Sequence, residues 1–244
     1  MLFKLACPDP PQIWRIGSME AVVAANGGVA YTDGSGGPKA PAHCSVVGCG
    51  AAAFSQTPGP QASDPEASGN IEEKIAAFKI QRLALRFSGV PGRQTVPRSE
   101  THAVSLASRE AGQARLARVC IDALYTVIGA RAFFDGEAGE RAKWLTGTSG
   151  DLWQEHAELE NAGFAGEKVR GHASFKDVFE EKVGVEDFIG NVLADACADA
   201  AADALAVPLE DRKGAFSDVR LATLISLRLA VIEDLLRSQR EIMI

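Results

Sequence analysis

Two short apolar runs in this sequence each lead straight into an aspartate. Gly28-Val29-Ala30-Tyr31-Thr32 ends at Asp33, and Arg118-Val119-Cys120-Ile121 ends at Asp122. Runs of this length suit strands buried in a sheet and are too short for helices. The residue that follows such a strand emerges at the sheet's working edge, where chemistry is usually carried. Both aspartates therefore point to one edge of one sheet.

The rest of the chain supplies partners for those strands. Gly34, Ser35, Gly36, Gly37 and Pro38 break the first run, and His43 to Phe54 reads as the second strand of a hairpin. Lys79 to Val90 alternates as a third strand. A helix follows to about Ala114, with Thr95 as its cap and Pro97 in its first turn. Tyr125 to Phe134 reads as helix, Glu137 to Gly150 as polar loop, Asp151 to Asn161 as helix and Lys168 to Gly171 as a brief strand. Asn191 to Val207 is an alanine-rich helix closed by Pro208, and Asp218 to Ile244 is a last helix with one wide apolar face, read as packing on the domain. Hairpin-joined strands followed by alternating strands and helices imply an α/β fold, a mixed sheet with helices on its faces. Residues 1–26 read as irregular because of Pro8, Pro10 and Pro11. Residues 55–70, rich in Pro, Gly and Ser, form an insertion that cannot build a core. Residues 175–189 form a second, charged insertion, and 208–244 a helical extension.

Composition narrows the function. A net charge of −7 does not mark a generic nucleic-acid binder. The stretch from Lys74 to Arg118 nevertheless holds nine Lys/Arg against Glu100 and Glu110, a basic island that could meet phosphates. The five cysteines are scattered and unpaired in pattern, which suits reduced thiols and an intracellular location, with nucleus and cytoplasm not distinguished. His43, Cys44 and Cys49 lack a second ligand pair, so a zinc site is disfavoured. No run of about 18 apolar residues suggests a membrane span, and no signal-peptide core is evident.

Two further acids complete a pattern. Glu100 falls in the first turn of one helix and Asp195 one turn into another, behind Asn191. Singly, each of the four acids has an ordinary explanation as a turn residue or a partner of a helix dipole. Together, four carboxylates on four elements can hold two hard divalent cations about 4 Å apart and support phosphodiester hydrolysis.

At these residues the chain resembles the type 1 ribonucleases H. Tyr31-Thr32-Asp33-Gly34-Ser35-Gly36 looks like the opening signature of that family, and Gln94 to Glu100, with Ala103 and Ala107 following, like the second. Ile121 to Tyr125 looks like the third. Asp151-Leu152-Trp153-Gln154, Lys168-Val169-Arg170-Gly171-His172 and Gly190-Asn191 through Asp195 follow in the family's order. The resemblance covers roughly residues 27–207. It implies a mixed five-stranded sheet with helices on both faces, to which the extra C-terminal helix is added. It also implies hydrolysis of the RNA strand of an RNA–DNA hybrid with Mg²⁺, for which Mn²⁺ could substitute. Asp33, Glu100, Asp122 and Asp195 would hold the metal, and His172 would assist proton movement or product release from a mobile loop. Gly34, Ser35, Thr95, Arg98 and Asn191 would contact substrate. Such modules also occur in retroelement reverse transcriptases. Leu124, Val96 and Pro97 stand where many members carry polar residues, so the alternative is a ribonuclease H-like nucleic-acid-binding module with weak or no cleavage. The apolar C-terminal helix leaves open a protein partner, and the oligomeric state is not set by the sequence.

Overall fold

Alternation of side chains along Gly48-Cys49-Gly50-Ala51-Ala52-Ala53 places small residues on both faces of one strand inside the sheet, so helices approach it closely from either side. The computed structural model describes residues 12–38, 45–56, 78–159 and 163–242, with side chains followed to residue 229. The sheet has six strands: β1 (Ile13–Ile16), β2 (Val29–Ser35), β3 (Gly48–Gln56), β4 (Ile80–Gly89), β5 (Arg118–Ile121) and β6 (Ala165–Lys168). Their spatial order is β1-β4-β3-β2-β5-β6. β1, β4, β3 and β2 pair antiparallel, whereas β5 and β6 continue the sheet in parallel with β2. Five of these strands form the mixed sheet that the sequence implies.

The sixth is a correction. Residues 13–25, read as irregular, form β1 and then α1 (Met19–Ala25). Ser18 caps α1 by accepting from the Ala21 N–H. Met19, Val22 and Val23 are then buried in the main core beside Ala51, Ala53, Ala84, Val104 and Ala107. Among the described residues β1 pairs with β4, a partner some seventy residues away, which a local reading of the prolines cannot see.

Seven further helices follow among the described residues: α2 (Val96–Ala111), α3 (Leu124–Phe134), α4 (Ala138–Leu145), α5 (Gly150–Ala157), α6 (Phe175–Phe179), α7 (Val185–Leu205) and α8 (Leu209–Ile242). Two of them correct loops expected from sequence. α4 lies within 137–150, its Trp144 ring against Tyr125 and Trp153. α6 lies within the charged stretch 175–189, started by a capping box in which Ser174 and Asp177 bond reciprocally. α1 and α2 share one face of the sheet. α7 covers the other, where Tyr31, Ala52, Phe54, Cys120 and Ala194 cluster. Glycines set that closeness. A Cβ on Gly190 would come 2.4 Å from the Tyr31 ring, and one on Gly50 would come 2.2 Å from the Ala194 carbonyl oxygen.

α8 does not pack as expected. Between Leu209 and Leu229 eight large hydrophobic side chains are 42–61% exposed, so among the described residues the apolar face finds no cover on the domain. No helix of the described residues is long and apolar enough to cross a membrane. Most of the 55–70 insertion, with His43 and Cys44, lies outside the described residues.

Candidate metal centre

β2 and β5 run side by side in parallel, with Tyr31 beside Cys120 and Thr32 beside Ile121, so the residues that follow each of these pairs meet at one edge. Those residues are Asp33 and Asp122. α2 brings Glu100 to the same edge because Gly34 lets its first turn come down on β2. A Cβ there would stand 2.4 Å from Ser99 Oγ and 2.7 Å from the Glu100 nitrogen. Asp33, Glu100 and Asp122 each offer a carboxylate oxygen, and the three oxygens lie within 4.8 Å of one another.

Asp33 and Glu100 are 4% and 5% exposed, whereas Asp122 is half-buried. The Gly34 N–H donates to Asp33 Oδ1 at 2.7 Å. Asp33 Oδ2 and Glu100 Oε2 are buried without a hydrogen-bond partner. Burial, and then the neighbouring carboxylates, push the pKa values of both acids upward. Burial also raises Asp122, against which the charges of Lys168 and His172 pull. Buried acids with orphaned oxygens facing one another are costly unless a cation or a shared proton neutralises them. That donor set, all oxygen and acidic, fits a hard divalent ion such as Mg²⁺ or Mn²⁺.

Asp195 projects from α7, half-buried and outside the close trio. It is near enough that its charge raises Asp33, while Asp122 and His172 act on Asp195 in turn. Burial is the main cause of the rise in the Asp195 pKa, followed by the charge of Asp199. Asn191, one turn earlier, is buried with Oδ1 unpartnered. His172 is exposed on the turn after β6, in a left-handed conformation with φ 47°. The preceding Gly171 runs so close to Asp122 that a Cβ would stand 2.2 Å from Oδ2. This brings the histidine segment to the same edge.

The residues expected to grip substrate divide. Thr95 stands at the N-cap of α2 with its side chain making no capping bond, exposed beside Val96. Arg98 is buried instead. Its Nε donates to the Pro91 carbonyl at 2.7 Å and its Nη1 to Asp151 Oδ1 at 2.7 Å, which ties α2 to α5. Ser35 donates its hydroxyl to Asp199. The basic island is partly spoken for: besides Arg98, Arg86 pairs with Glu110, Arg109 with Glu155, and Arg118 with Glu167 and Asp187. His102 and His156 are buried among packing side chains. Burial lowers the His102 pKa to about 3, which keeps it neutral.

Two neighbours of the site carried no expected role from sequence. Lys168 stands at the end of β6 close enough to lower Asp122, and its place before Val169 and Gly171 was the available signal. Asp199 follows Asp195 at the four-residue spacing of one helical face, and that spacing was its signal.

No family model matches the sequence, and no curated protein does so. In structure the chain is similar to ribonuclease H domains. The solution structure of the PFV RNase H domain shares 18% identity over 72% of this chain and 93% of that one, with a TM-score of 0.46. LC9-RNase H1, described as a type 1 RNase H with the type 2 active-site motif, shares 19% identity over 71% of this chain and 72% of its own, with a TM-score of 0.45. Identities this low leave the chemistry to be read from the side chains themselves.

Proposed function

We propose that this protein is a divalent-metal-dependent endoribonuclease that hydrolyses the RNA strand of RNA–DNA hybrids. The observation that carries the reading is the convergence of Asp33, Glu100 and Asp122 within 4.8 Å, with orphaned buried oxygens on two of them. Asp195 completes the set from the opposite face of the sheet. Bound there, Mg²⁺ would supply an activated water and charge stabilisation for the leaving oxygen of a phosphodiester. The chain's own residues do the rest. Asp33, Glu100, Asp122 and Asp195 would hold the ions, and His172, on its exposed turn, would assist proton movement or product release. Gly34 and Thr95 would contact substrate from the end of β2 and the start of α2, and Asn191 offers an unpartnered side-chain oxygen one turn before Asp195.

A labelled RNA–DNA hybrid, incubated with the protein with and without Mg²⁺ beside an Asp122→Asn variant, tests this. Cleavage of the RNA strand that needs Mg²⁺ and disappears in the variant is expected. Equal cleavage by the variant would remove the mechanism.

One observation favours a second reading, in which the domain binds nucleic acid with little or no cleavage. Leu124, two residues after Asp122, is 58% exposed, Val96, at the start of the helix that carries Glu100, is 42% exposed, and Arg98 is engaged by Asp151. Hybrid binding without cleavage at any Mg²⁺ concentration is the outcome that this reading expects.

A further inference from the structure

Asp199 is exposed and lies outside the close carboxylate trio, yet it is held. Ser35, the last residue of β2, donates its hydroxyl to Asp199 Oδ1, and the same Oγ accepts from the Gly37 N–H at 3.2 Å. Both bonds act on one hydroxyl, so its direction is set. The turn that carries Gly37 is seated against α7: with φ +63°, a Cβ there would stand 2.5 Å from the Val46 carbonyl oxygen and 3.1 Å from Ala202 Cβ.

The spacing along the two elements matches. From Asp33 to Ser35 a strand advances about 7 Å, and from Asp195 to Asp199 a helix advances about 6 Å. Across the hairpin Asp33 faces Gly50 and Ser35 faces Gly48. α7 lies on both glycines, with a Cβ on Gly50 meeting the Ala194 carbonyl oxygen and a Cβ on Gly48 meeting that of Ala198. α7 therefore runs alongside β2 in near register. Joining Ser35 to Asp199 brings Asp195 abreast of Asp33.

We propose that the Ser35–Asp199 hydrogen bond is a latch that positions Asp195 against Asp33 and thereby sets the cluster's affinity for divalent cation at its Asp195 edge. The inference rests on the metal-dependent reading above and makes Ser35 and Asp199 positioning residues. It also gives Ser35 a different task from substrate contact. A hydroxyl that holds α7 changes how tightly metal is bound, whereas a hydroxyl that contacts the hybrid changes how tightly substrate is bound.

The test is calorimetric titration of the full chain with Mn²⁺, comparing the unsubstituted protein with Ser35→Ala, Ser35→Thr, Asp199→Ala and the Ser35→Ala/Asp199→Ala double variant. Thermal unfolding of each checks that it folds. A lost hydrogen bond corresponds to a weakening of about three- to tenfold, and that is expected for Ser35→Ala and for Asp199→Ala. Ser35→Thr, which keeps the hydroxyl, should bind as the unsubstituted protein does. The double variant should be no weaker than Asp199→Ala. In hydrolysis, Ser35→Ala should be restored by added Mg²⁺ with its KM for hybrid unchanged. Unaltered Mn²⁺ binding by Ser35→Ala overturns the latch. So does a hydrolysis defect that lies in KM and resists Mg²⁺. Failure of the unsubstituted protein to take up Mn²⁺ overturns the metal-dependent reading together with the latch.

Discussion

Gly50 lies directly across the β2–β3 hairpin from Asp33, and the helix that carries Asp195 rests on it. The cross-strand neighbour of the first acid thus decides how near the fourth can come. A Cβ at Gly50 would stand 2.2 Å from the Ala194 carbonyl oxygen, 2.6 Å from the Ala198 nitrogen and 2.7 Å from Cys197 Cβ. Two of these are backbone atoms, which cannot turn aside as a flexible side chain would.

Gly50→Ala should therefore lift α7 from the sheet. Overpacking of this kind costs about 1–3 kcal/mol, to be read from denaturant unfolding. The sharper effect falls on the site. With Asp195 displaced, Mg²⁺-dependent cleavage should drop by more than tenfold even where the variant remains folded. A folded Gly50→Ala protein with full activity would show that Asp195 does not need its observed position.

The raised carboxyls give a pH dependence with a definite sign. Asp33 and Glu100, with ordinary values of 3.8 and 4.5, are shifted upward by burial and mutual repulsion. The folded state therefore holds protons that the unfolded state has released, and stability falls as pH rises above the ordinary carboxylate range. Without metal, the melting temperature should decline from about pH 5 to about pH 8. The slope should be shallower in Glu100→Gln, which removes one titrating group from the cluster. Added Mg²⁺ should raise the melting temperature most at the alkaline end, by mass action on the folded state. A slope that Glu100→Gln leaves unchanged would place the pH dependence elsewhere in the protein.

The parts of the site that could be read from sequence were those encoded locally. Asp33 and Asp122 end apolar runs, and Glu100 follows a helix start marked by Thr95 and Pro97, so the strand-edge and helix-turn placements needed no knowledge of distant partners. What escaped was decided by contacts far along the chain. β1 depends on β4, and Ser35 finds Asp199 at a separation of 164 residues. Arg98, read as a substrate contact, is taken by Asp151, 53 residues on. α6 is a different case. Its Ser174-x-x-Asp177 capping box is a local signal, overlooked because the surrounding charges suggested a loop. α4 has no buried residue, and its eight residues span barely two turns with glycine and three charged side chains among them, so periodicity had little to register.

Glu110 tests whether the N-terminal strand belongs to the fold. It accepts from Arg15 of β1 and from Arg86 of β4, and the Arg86 side chain is only 5% exposed. Removing the partner of a buried charge typically costs about 3–5 kcal/mol. Glu110→Ala should approach that in chemical denaturation, although Arg86 keeps its bonds to the Ile16 and Gly17 carbonyls. Arg15 is largely exposed, and Arg15→Ala should cost about 1 kcal/mol or less. Equal costs for the two substitutions would mean that the bond to Arg86 is not the anchor.

Salt dependence separates the basic residues that remain for phosphate from those already paired. Arg86, Arg98, Arg109 and Arg118 each meet a carboxylate, and a cation neutralised inside the protein releases few counterions from a nucleic acid. Arg93 is exposed on the loop that leads into α2, two residues before Thr95. If hybrid lies across the carboxylate edge, Arg93→Ala should flatten the plot of log affinity against log salt by roughly 0.7–0.9, the slope of one phosphate contact. Arg109→Ala should leave that slope unchanged, because its guanidinium is committed to Glu155. Binding measured at several salt concentrations decides between them. A loss of slope in Arg109→Ala equal to that in Arg93→Ala would show that the internal ion pairs open to meet the phosphates.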